Sequence, residues 1–376
     1  MNIGIDIRPL MSPIRTGVAE YTFELLKALF EIDKHSQYYL YYNSYRPVSL
    51  NLPGATNANV NIISTHFPNK LLNASLLCLK RPCLNKLVPH PLDIWFSPNL
   101  HFTALSKDIV QILTVHDLTF RFFPEFFTSK QRLVKAEKAI HRANLILVPS
   151  WNTKRDIIKF YNSDPNKIQV IYPGLSSHIK PSGAEQKTIV KNKFNLPERF
   201  FLFVGAYEPR KNLLSLLQAF EKVHAENTDP VHLVIAGAPG WKNKLVFDYI
   251  QRSNFKDKIH CLGYVTEREK TVLYELAETF IYPSHYEGFG FPVLEAMALG
   301  TPVITSHRSS LTEIAGNSTT LVNPLDPNDL ALAMKTLLNS KELRDRQRKN
   351  GQAAALEFTW EKSAENFLSA LKSSTE

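Results

Sequence analysis

The chain has 376 residues, 44% of them hydrophobic, and a net charge of +9. That length exceeds one typical core, so two domains are expected, and the composition is that of a globular protein, not a disordered or fibrous one. No apolar run is long enough to span a bilayer. The opening MNIGIDIRPL lacks the basic-then-apolar pattern of a secretion signal. The three cysteines (Cys78, Cys83, Cys261) stand in no metal-ligand spacing. A cytoplasmic chain without a disulfide framework or structural zinc is expected.

In chain order, the first half carries the candidate strands NIGIDI, YYLYYN, VNIIST, DIWFSP, IVQILTV, NLILVPS and IQVIYP. Most are short apolar runs, the pattern of strands buried on both faces in parallel sheets covered by helices. Between them GVAEYTFELLKALFEI places Tyr21, Leu25 and Leu29 four apart on one helical face. From residue 34 to 92 there is no Asp or Glu, while Lys34, Arg46, Lys70, Lys80, Arg81 and Lys86 are basic and interleave with aromatic and apolar residues. Such a surface suits anionic lipid headgroups; a solvated basic face without a partner reads the same way. No nucleic-acid motif is present, so nucleic acid is not an expected partner.

Pro173, Gly174, Pro181, Ser182 and Gly183 cluster without a periodic apolar pattern and mark a boundary. An N-terminal domain is expected over 1–175 and a C-terminal one over 185–357, beginning with a strand near Arg199. The second half repeats the alternation with FFLFVGA, HLVIAGA, IHCLGYV, TFIYPS, TPVITS and TTLVN, and NLLSLLQAFEKVHAE is helical, with Leu213, Leu217 and Phe220 on one face. The tail, 358–376, reads as an amphipathic helix that packs back on the first domain. Alternating strand and helix predicts an α/β class: two Rossmann-like doubly wound domains facing a central cleft, with ligands beyond the carboxyl ends of the strands.

The stretch HYEGFGFPVLEAMALGTPVITS, residues 285–306, carries most of the chemistry. Glu287 falls on a loop after a strand. Pro292 suits a helix start, Gly300 suits its end, and Glu295 falls in what reads as the first helical turn. Amides from Gly288 through Phe289 and Gly290 to Phe291 sit at a positive helix end, which suits an anionic or hydroxyl-rich ligand. Carboxylates accept hydrogen bonds from hydroxyls, so Glu287 and Glu295 could hold two hydroxylated rings of one ligand. Equally, Glu295 could be favoured by the helix dipole alone and Glu287 be solvated.

In VGAYEPRKNLLSLLQAF a strand ends at Gly205, and Arg210 and Lys211 precede a helix expected to be capped by Asn212. Two cations at a strand's carboxyl end suit a diphosphate; an exposed basic turn is the alternative. Gly17 opens a helix and lets a phosphate or sugar approach its backbone, or it serves a plain turn. His116, beside Asp117 at a strand end, could bond a sugar hydroxyl or assist proton transfer, or be structural. There is no Asp-x-Asp pair, G-x-G-x-x-G, P-loop, G-x-S-x-G or HExxH. A metal-free enzyme must neutralise a leaving diphosphate with protein cations and helix amides.

Together, EGFGFPVLEAMALGTPVI, VGAYEPRKNL, VPSWNTKRDI, VIYPGL and FTWEKSAENFL resemble glycosyltransferase family four, retaining enzymes of the GT-B fold, over nearly the whole chain. The resemblance implies that Glu287 bonds the donor sugar's hydroxyls with the amides of Gly288 to Phe291. Glu295 would bond the ribose, and Arg210 and Lys211 the diphosphate. The base would lie near Gly263, Tyr264 and Val265. Gly17 would approach the phosphate and His116 the donor sugar. It further implies transfer by front-face attack, with no metal or other cofactor. The loop at Gly17 carries one glycine where many members carry two.

VHDLTFRFFPEFF with VIYPGL resembles bacterial mannosyltransferases of O-antigen and capsule assembly, which use GDP-mannose. That implies a nucleotide-sugar donor, GDP-mannose ahead of UDP-linked sugars. It also implies a lipid-linked glycan acceptor in lipopolysaccharide biosynthesis and peripheral membrane contact through segment 34–92. A sugar-nucleotide epimerase and a non-catalytic nucleotide-binding scaffold share the architecture and stand as alternatives.

Overall fold

The computed structural model describes residues 1–11, 16–46, 52, 54–100, 103–124, 130–226, 231–238, 240 and 243–375. The residues just before Thr16, parts of the basic segment (47–51 and 53) and the end of FRFFPEFF lie outside the described residues. The chain divides into two compact units, Met1–Gly174 with Thr359–Glu376, and Leu175–Phe358.

The first unit contains β1 (Asn2–Asp6), α1 (Gly17–Ile32), β2 (Gln37–Asn43), β3 (Val60–Thr65), α2 (Asn69–Cys78), β4 (Ile94–Ser97), β5 (Val110–Thr114), a short α3 (Thr119–Phe122), α4 (Lys130–Arg142), β6 (Leu145–Val148), α5 (Trp151–Tyr161) and β7 (Ile168–Val170). Its parallel sheet has the order β3-β2-β1-β4-β5-β6-β7, with Ile3 opposite both Tyr38 and Ile94. Every residue of β4 (IWFS) and β6 (LILV) is buried, which is why these strands read as unbroken apolar runs. Thr16 caps α1 by accepting the Ala19 amide at 3.3 Å. Tyr21, Leu25 and Leu29 are all buried. Each buried leucine stabilises by roughly 1.5–3 kcal/mol.

The second unit contains α6 (Ala184–Lys193), β8 (Phe200–Val204), α7 (Leu213–Glu226), β9 (His232–Ala236), α8 (Lys244–Arg252), β10 (Ile259–Gly263), α9 (Glu267–Leu276), β11 (Thr279–Tyr282), α10 (Phe291–Ala298), β12 (Val303–Ser306), α11 (Leu311–Ala315), β13 (Thr320–Val322), α12 (Pro327–Asn339) and α13 (Lys341–Ala355). Its parallel sheet runs β10-β9-β8-β11-β12-β13. Helix α6 was not expected from the sequence. It buries only Val190 and is held instead by ion pairs from Lys187 to Glu275 and from Lys193 to Glu269, so it shows no apolar stripe.

The chain then returns to the first unit as α14 (Trp360–Thr375). Trp360 packs edge-on against Tyr21 of α1 at 5.6 Å, and Phe367 against Phe96 at 4.8 Å. A Cβ on Gly174 would lie 2.2 Å from the Trp360 nitrogen, so only glycine permits this approach. Both sheets are doubly wound, and in each the strand order reverses beside its first strand: at β1/β4 and at β8/β11. Ligands of such sheets bind outside the strand ends at that reversal. Among the described residues no helix is long and apolar enough to cross a membrane.

Candidate functional site

The strand reversal of the second unit lies between β8 and β11. Arg210 and Lys211 follow the first of these strands, and Glu287 follows the second. The strand ends are tied closely: the Gly205 amide donates to Ala236 at 2.9 Å and the Gly237 amide to Gly263 at 2.8 Å. A Cβ on Gly237 would meet the Gly205 carbonyl oxygen at 2.0 Å, so this crossing is backbone on backbone. Arg210 and Lys211 lie on a single 3-10 turn, Pro209–Lys211. Asn212 stands directly before α7, and its carbonyl accepts the Leu216 amide at 3.4 Å. It takes the left-handed conformation (φ 59°), and its amide donates to the carbonyls of Pro283 at 3.1 Å and Pro324 at 2.5 Å. The basic turn is thereby tied to the end of β11.

Glu287 is 7% exposed, not solvated. One carboxylate oxygen, Oε1, accepts from Lys211 Nζ at 2.7 Å and from the Tyr282 hydroxyl at 3.0 Å; the other, Oε2, accepts from Arg210 at 2.8 Å. Arg210 also donates to Glu208 at 2.9 Å, and Lys211 donates to the Tyr282 hydroxyl. Burial opposes ionisation of Glu287, but Arg210 and Lys211 outweigh it and hold the carboxyl at about 2. Burial and the neighbouring Arg210 hold Lys211 below the ordinary lysine range, while Glu287 pulls it back. The cluster is thus an ionised carboxylate between two cations, not a pair of unpaired cations on an exposed turn.

Two adjacent serines pin the loop that carries Glu287. The Glu287 amide donates to Ser309 Oγ at 3.0 Å, and the buried Ser310 hydroxyl lies 2.8 Å from the Glu287 carbonyl and 2.6 Å from that of Phe289. Gly290 adopts φ +128°, and a Cβ there would meet Leu311 Cδ2 at 2.7 Å. Helix α10 starts at Phe291 with Pro292 in its first turn, and the amides of Val293 and Leu294 turn back to the Gly290 carbonyl. Among the described residues, no protein acceptor takes the amides of Gly290 and Phe291. They form a small donor pair at the positive helix end, close in sequence to Glu287.

Glu295 sits in the second turn of α10, not the first, so the helix dipole is not what favours it. It is 6% exposed. Lys270 donates to its Oε1 at 3.0 Å and the Tyr274 hydroxyl to its Oε2 at 3.0 Å. Both partners stand on α9, which opens with a capping box between Thr266 and Glu269. Lys270 also pairs with Glu267 at 2.6 Å, and Glu267 meets His178 at 2.8 Å. Burial works against the Lys270 charge, yet Glu295 and Glu267 raise its pKa above the ordinary lysine value.

Gly263 takes φ +71° at the end of β10, with nothing within 4 Å of where a Cβ would stand. Tyr264 follows, 66% exposed, and Val265 is buried.

Gly17 and His116 belong to the other unit. Gly17 is the first residue of α1, and open space surrounds the position of its missing Cβ. His116 packs edge-on against Tyr21 at 4.7 Å, and its Nε2 lies 2.7 Å from the Pro98 carbonyl. A carbonyl only accepts, so Nε2 carries the proton. Burial lowers the His116 pKa and keeps the ring neutral, which makes Nδ1 an acceptor.

Sequence reasoning missed Tyr282, Lys270, Tyr274, Ser309 and Ser310. For Lys270 and Tyr274 a signal existed: they are four apart on one helix, the spacing at which two side chains share a face.

Two doubly wound units, one with a carboxylate and cation cluster at its strand reversal, fit a glycosyltransferase of the GT-B class, and the family matches show that class. Residues 15–178 match the family model described as Glycosyltransferase Family 4, and residues 184–354 match that of Glycosyl transferases group 1. The chain belongs to glycosyltransferase family four. It is 33% identical over 285 residues to O-antigen chain mannosyltransferase RfbU of Salmonella typhimurium, covering 72% of this chain and 75% of that one. It is 29% identical to O-antigen chain mannosyltransferase B of Escherichia coli, covering 99% of this chain and 100% of that one. The fold is similar to that of HepE of Anabaena in complex with UDP and glucose, with a TM-score of 0.76 at 17% identity, covering 99% of this chain and 100% of that one.

Proposed function

We propose that the enzyme transfers mannose, with retention, from GDP-mannose to a lipid-linked glycan in cell-surface polysaccharide synthesis. The observation that carries this reading is Glu287, held ionised between Arg210 and Lys211 at 2.8 and 2.7 Å. A carboxylate offers about four acceptor sites. Lys211, Tyr282 and Arg210 occupy three of them, which leaves room for a sugar hydroxyl on Oε2. The same two cations sit where a diphosphate can share them. As the bond to the sugar breaks, negative charge builds on the departing phosphate. Arg210, Lys211 and the amides of Gly290 and Phe291 are fixed donors for that charge, and they need not reorganise to meet it.

In this reading no metal ion is required, and the leaving phosphate takes the acceptor's proton. His116 offers a neutral acceptor nitrogen suited to a sugar hydroxyl, and Gly17 an unobstructed backbone suited to a phosphate. Gly263, Tyr264 and Val265 are assigned to the base. Mannose is favoured because both O-antigen relatives described above are named mannosyltransferases. Incubating the purified protein with a panel of sugar nucleotides and measuring nucleotide release tests the donor. GDP release from GDP-mannose is expected; turnover only with UDP-linked sugars would overturn it.

Peripheral membrane contact is part of the same proposal. Around α2 the exposed apolar residues Phe67, Leu71 and Leu79 lie among Lys70, Lys80 and Arg81 in a stretch without acidic residues. Lys86 pairs with Asp108 at 3.2 Å and contributes less. Sedimentation with anionic liposomes, comparing the wild type with a Lys70→Glu, Lys80→Glu, Arg81→Glu variant, tests it. Equal binding by both would remove this surface from the argument.

A further inference from the structure

Glu295 differs from Glu287 in what its partners leave available. Lys270 takes one acceptor site on Oε1, and the Tyr274 hydroxyl takes one on Oε2. Of the roughly four acceptor sites of a carboxylate, about two remain, one on each oxygen. The carboxylate cannot rotate without losing a partner, because each oxygen is tied to a different side chain on the same helix. Burial adds to that restriction, since a lost partner would leave a buried polar group unpaired. The remaining pair of sites is therefore presented in a set orientation. Two adjacent hydroxyls on the same side of a five-membered ring match it: each donates to one oxygen.

We infer that Lys270 and Tyr274 are positioning residues that make Glu295 a bidentate acceptor for the 2′- and 3′-hydroxyls of the donor's ribose, and so set the enzyme's discrimination against deoxyribonucleotide sugars. This rests on the nucleotide-sugar reading of the site and extends it from one glutamate to the pair that aims it. The chain from Lys270 continues through Glu267 to His178. Lys270 is thus held from both sides, and its ammonium has little freedom to leave Glu295. Tyr274 is buried and also packs edge-on against Phe280 at 5.1 Å, which fixes the ring that carries the hydroxyl.

The test compares kcat/KM for GDP-mannose with that for its 2′-deoxy and 3′-deoxy counterparts. The wild type is expected to favour the ribonucleotide by about tenfold or more, as a site built to bond a hydroxyl does. Tyr274→Phe removes only the hydroxyl and keeps the packing. It is expected to lower kcat/KM for the ribonucleotide several-fold while leaving the deoxy donors nearly unchanged, so that discrimination shrinks. Lys270→Met is expected to act in the same direction and more strongly; Tyr274→Phe decides the matter if Lys270→Met does not fold. An equal fall for ribo and deoxy donors, or unchanged discrimination in Tyr274→Phe, would overturn the inference. Glu295→Gln separates the two levels: if it too leaves discrimination unchanged, the assignment of Glu295 to the ribose fails, and if it alone abolishes discrimination, only the positioning role fails.

Discussion

Lys211 and Lys270 stand in the same relation to the two glutamates: each ammonium donates to one carboxylate, at 2.7 and 3.0 Å, and a tyrosine hydroxyl donates to that same carboxylate. The difference lies in their further partners: Arg210 reaches Glu287 as well as Glu208, whereas no second cation reaches Glu295 among the described residues and Lys270 is shared with Glu267. Two cations face two carboxylates at the Glu287 end and one cation faces two at the Glu295 end, which is the reason the proposed diphosphate is assigned to the first and the proposed ribose to the second.

Removing the countercharge has a signature in acid. The Glu287 carboxyl sits at about 2 against an ordinary value of 4.5. A depressed carboxylate stabilises the fold above its unfolded value and loses that stabilisation as pH falls through the folded value. The shift corresponds to about 3 kcal/mol. Glu287→Gln is expected to lower the melting temperature at pH 7 and to flatten the dependence of stability on pH between the two values. Thermal unfolding of both proteins across that range measures it; parallel curves would contradict the ion-pair account.

Arg210→Ala leaves Glu208 and Glu287 without their guanidinium. Two carboxylates are then left with only the Lys211 ammonium between them, where the proposed diphosphate would be held. A fall in kcat/KM of about tenfold or more is expected, each tenfold being about 1.36 kcal/mol of transition-state stabilisation. Steady-state nucleotide release measures it, and an unchanged kcat/KM would place Arg210 outside the chemistry.

Gly290→Ala puts a methyl group 2.7 Å from Leu311 Cδ2 at a backbone angle that side chains rarely adopt. A loss of about 1–3 kcal/mol is expected, together with reduced turnover, because the Glu287 loop runs straight into this residue. Leu311 is itself fully buried, so Leu311→Ala alone costs about 2–5 kcal/mol. In a double-mutant cycle the double variant should lose less than the sum of the two single losses by the part that comes from the Leu311 contact, the backbone strain remaining. Urea unfolding of the single and double variants measures both contributions.

Turnover in the presence of a chelator is expected to equal turnover without it, since Arg210, Lys211 and the helix amides are assigned the whole of the diphosphate charge. Activity that disappears with chelation and returns with a divalent ion would show that these groups do not suffice.

The strands were legible because burial on both faces leaves no alternation to misread; β8, FFLFV, is buried throughout. Helix α6 was not, because ion pairs rather than an apolar stripe hold it. Glu287 and Glu295 could be singled out by their spacing around a glycine-rich loop. Arg210 and Lys211 could be singled out too, but not that they pair with Glu287, nor that Lys270 pairs with Glu295, because Lys211 is 76 residues before Glu287 and Lys270 is 25 before Glu295. Pairing across such distances is decided by strand order, and one sequence does not display it. The same gap left Glu287 open to being read as solvated when it is buried.

The exit and return of the chain at one place also set the order in which the protein can be made. Leu175 and Phe358 close the second unit with a backbone hydrogen bond of 2.9 Å. That unit is continuous in sequence, so it can complete itself while still attached to the ribosome. The first unit cannot: Tyr21 and Phe96 wait for Trp360 and Phe367, which are translated after the whole of the second unit. During synthesis the earlier half therefore cannot pack its last helix until the whole of the later half has been translated.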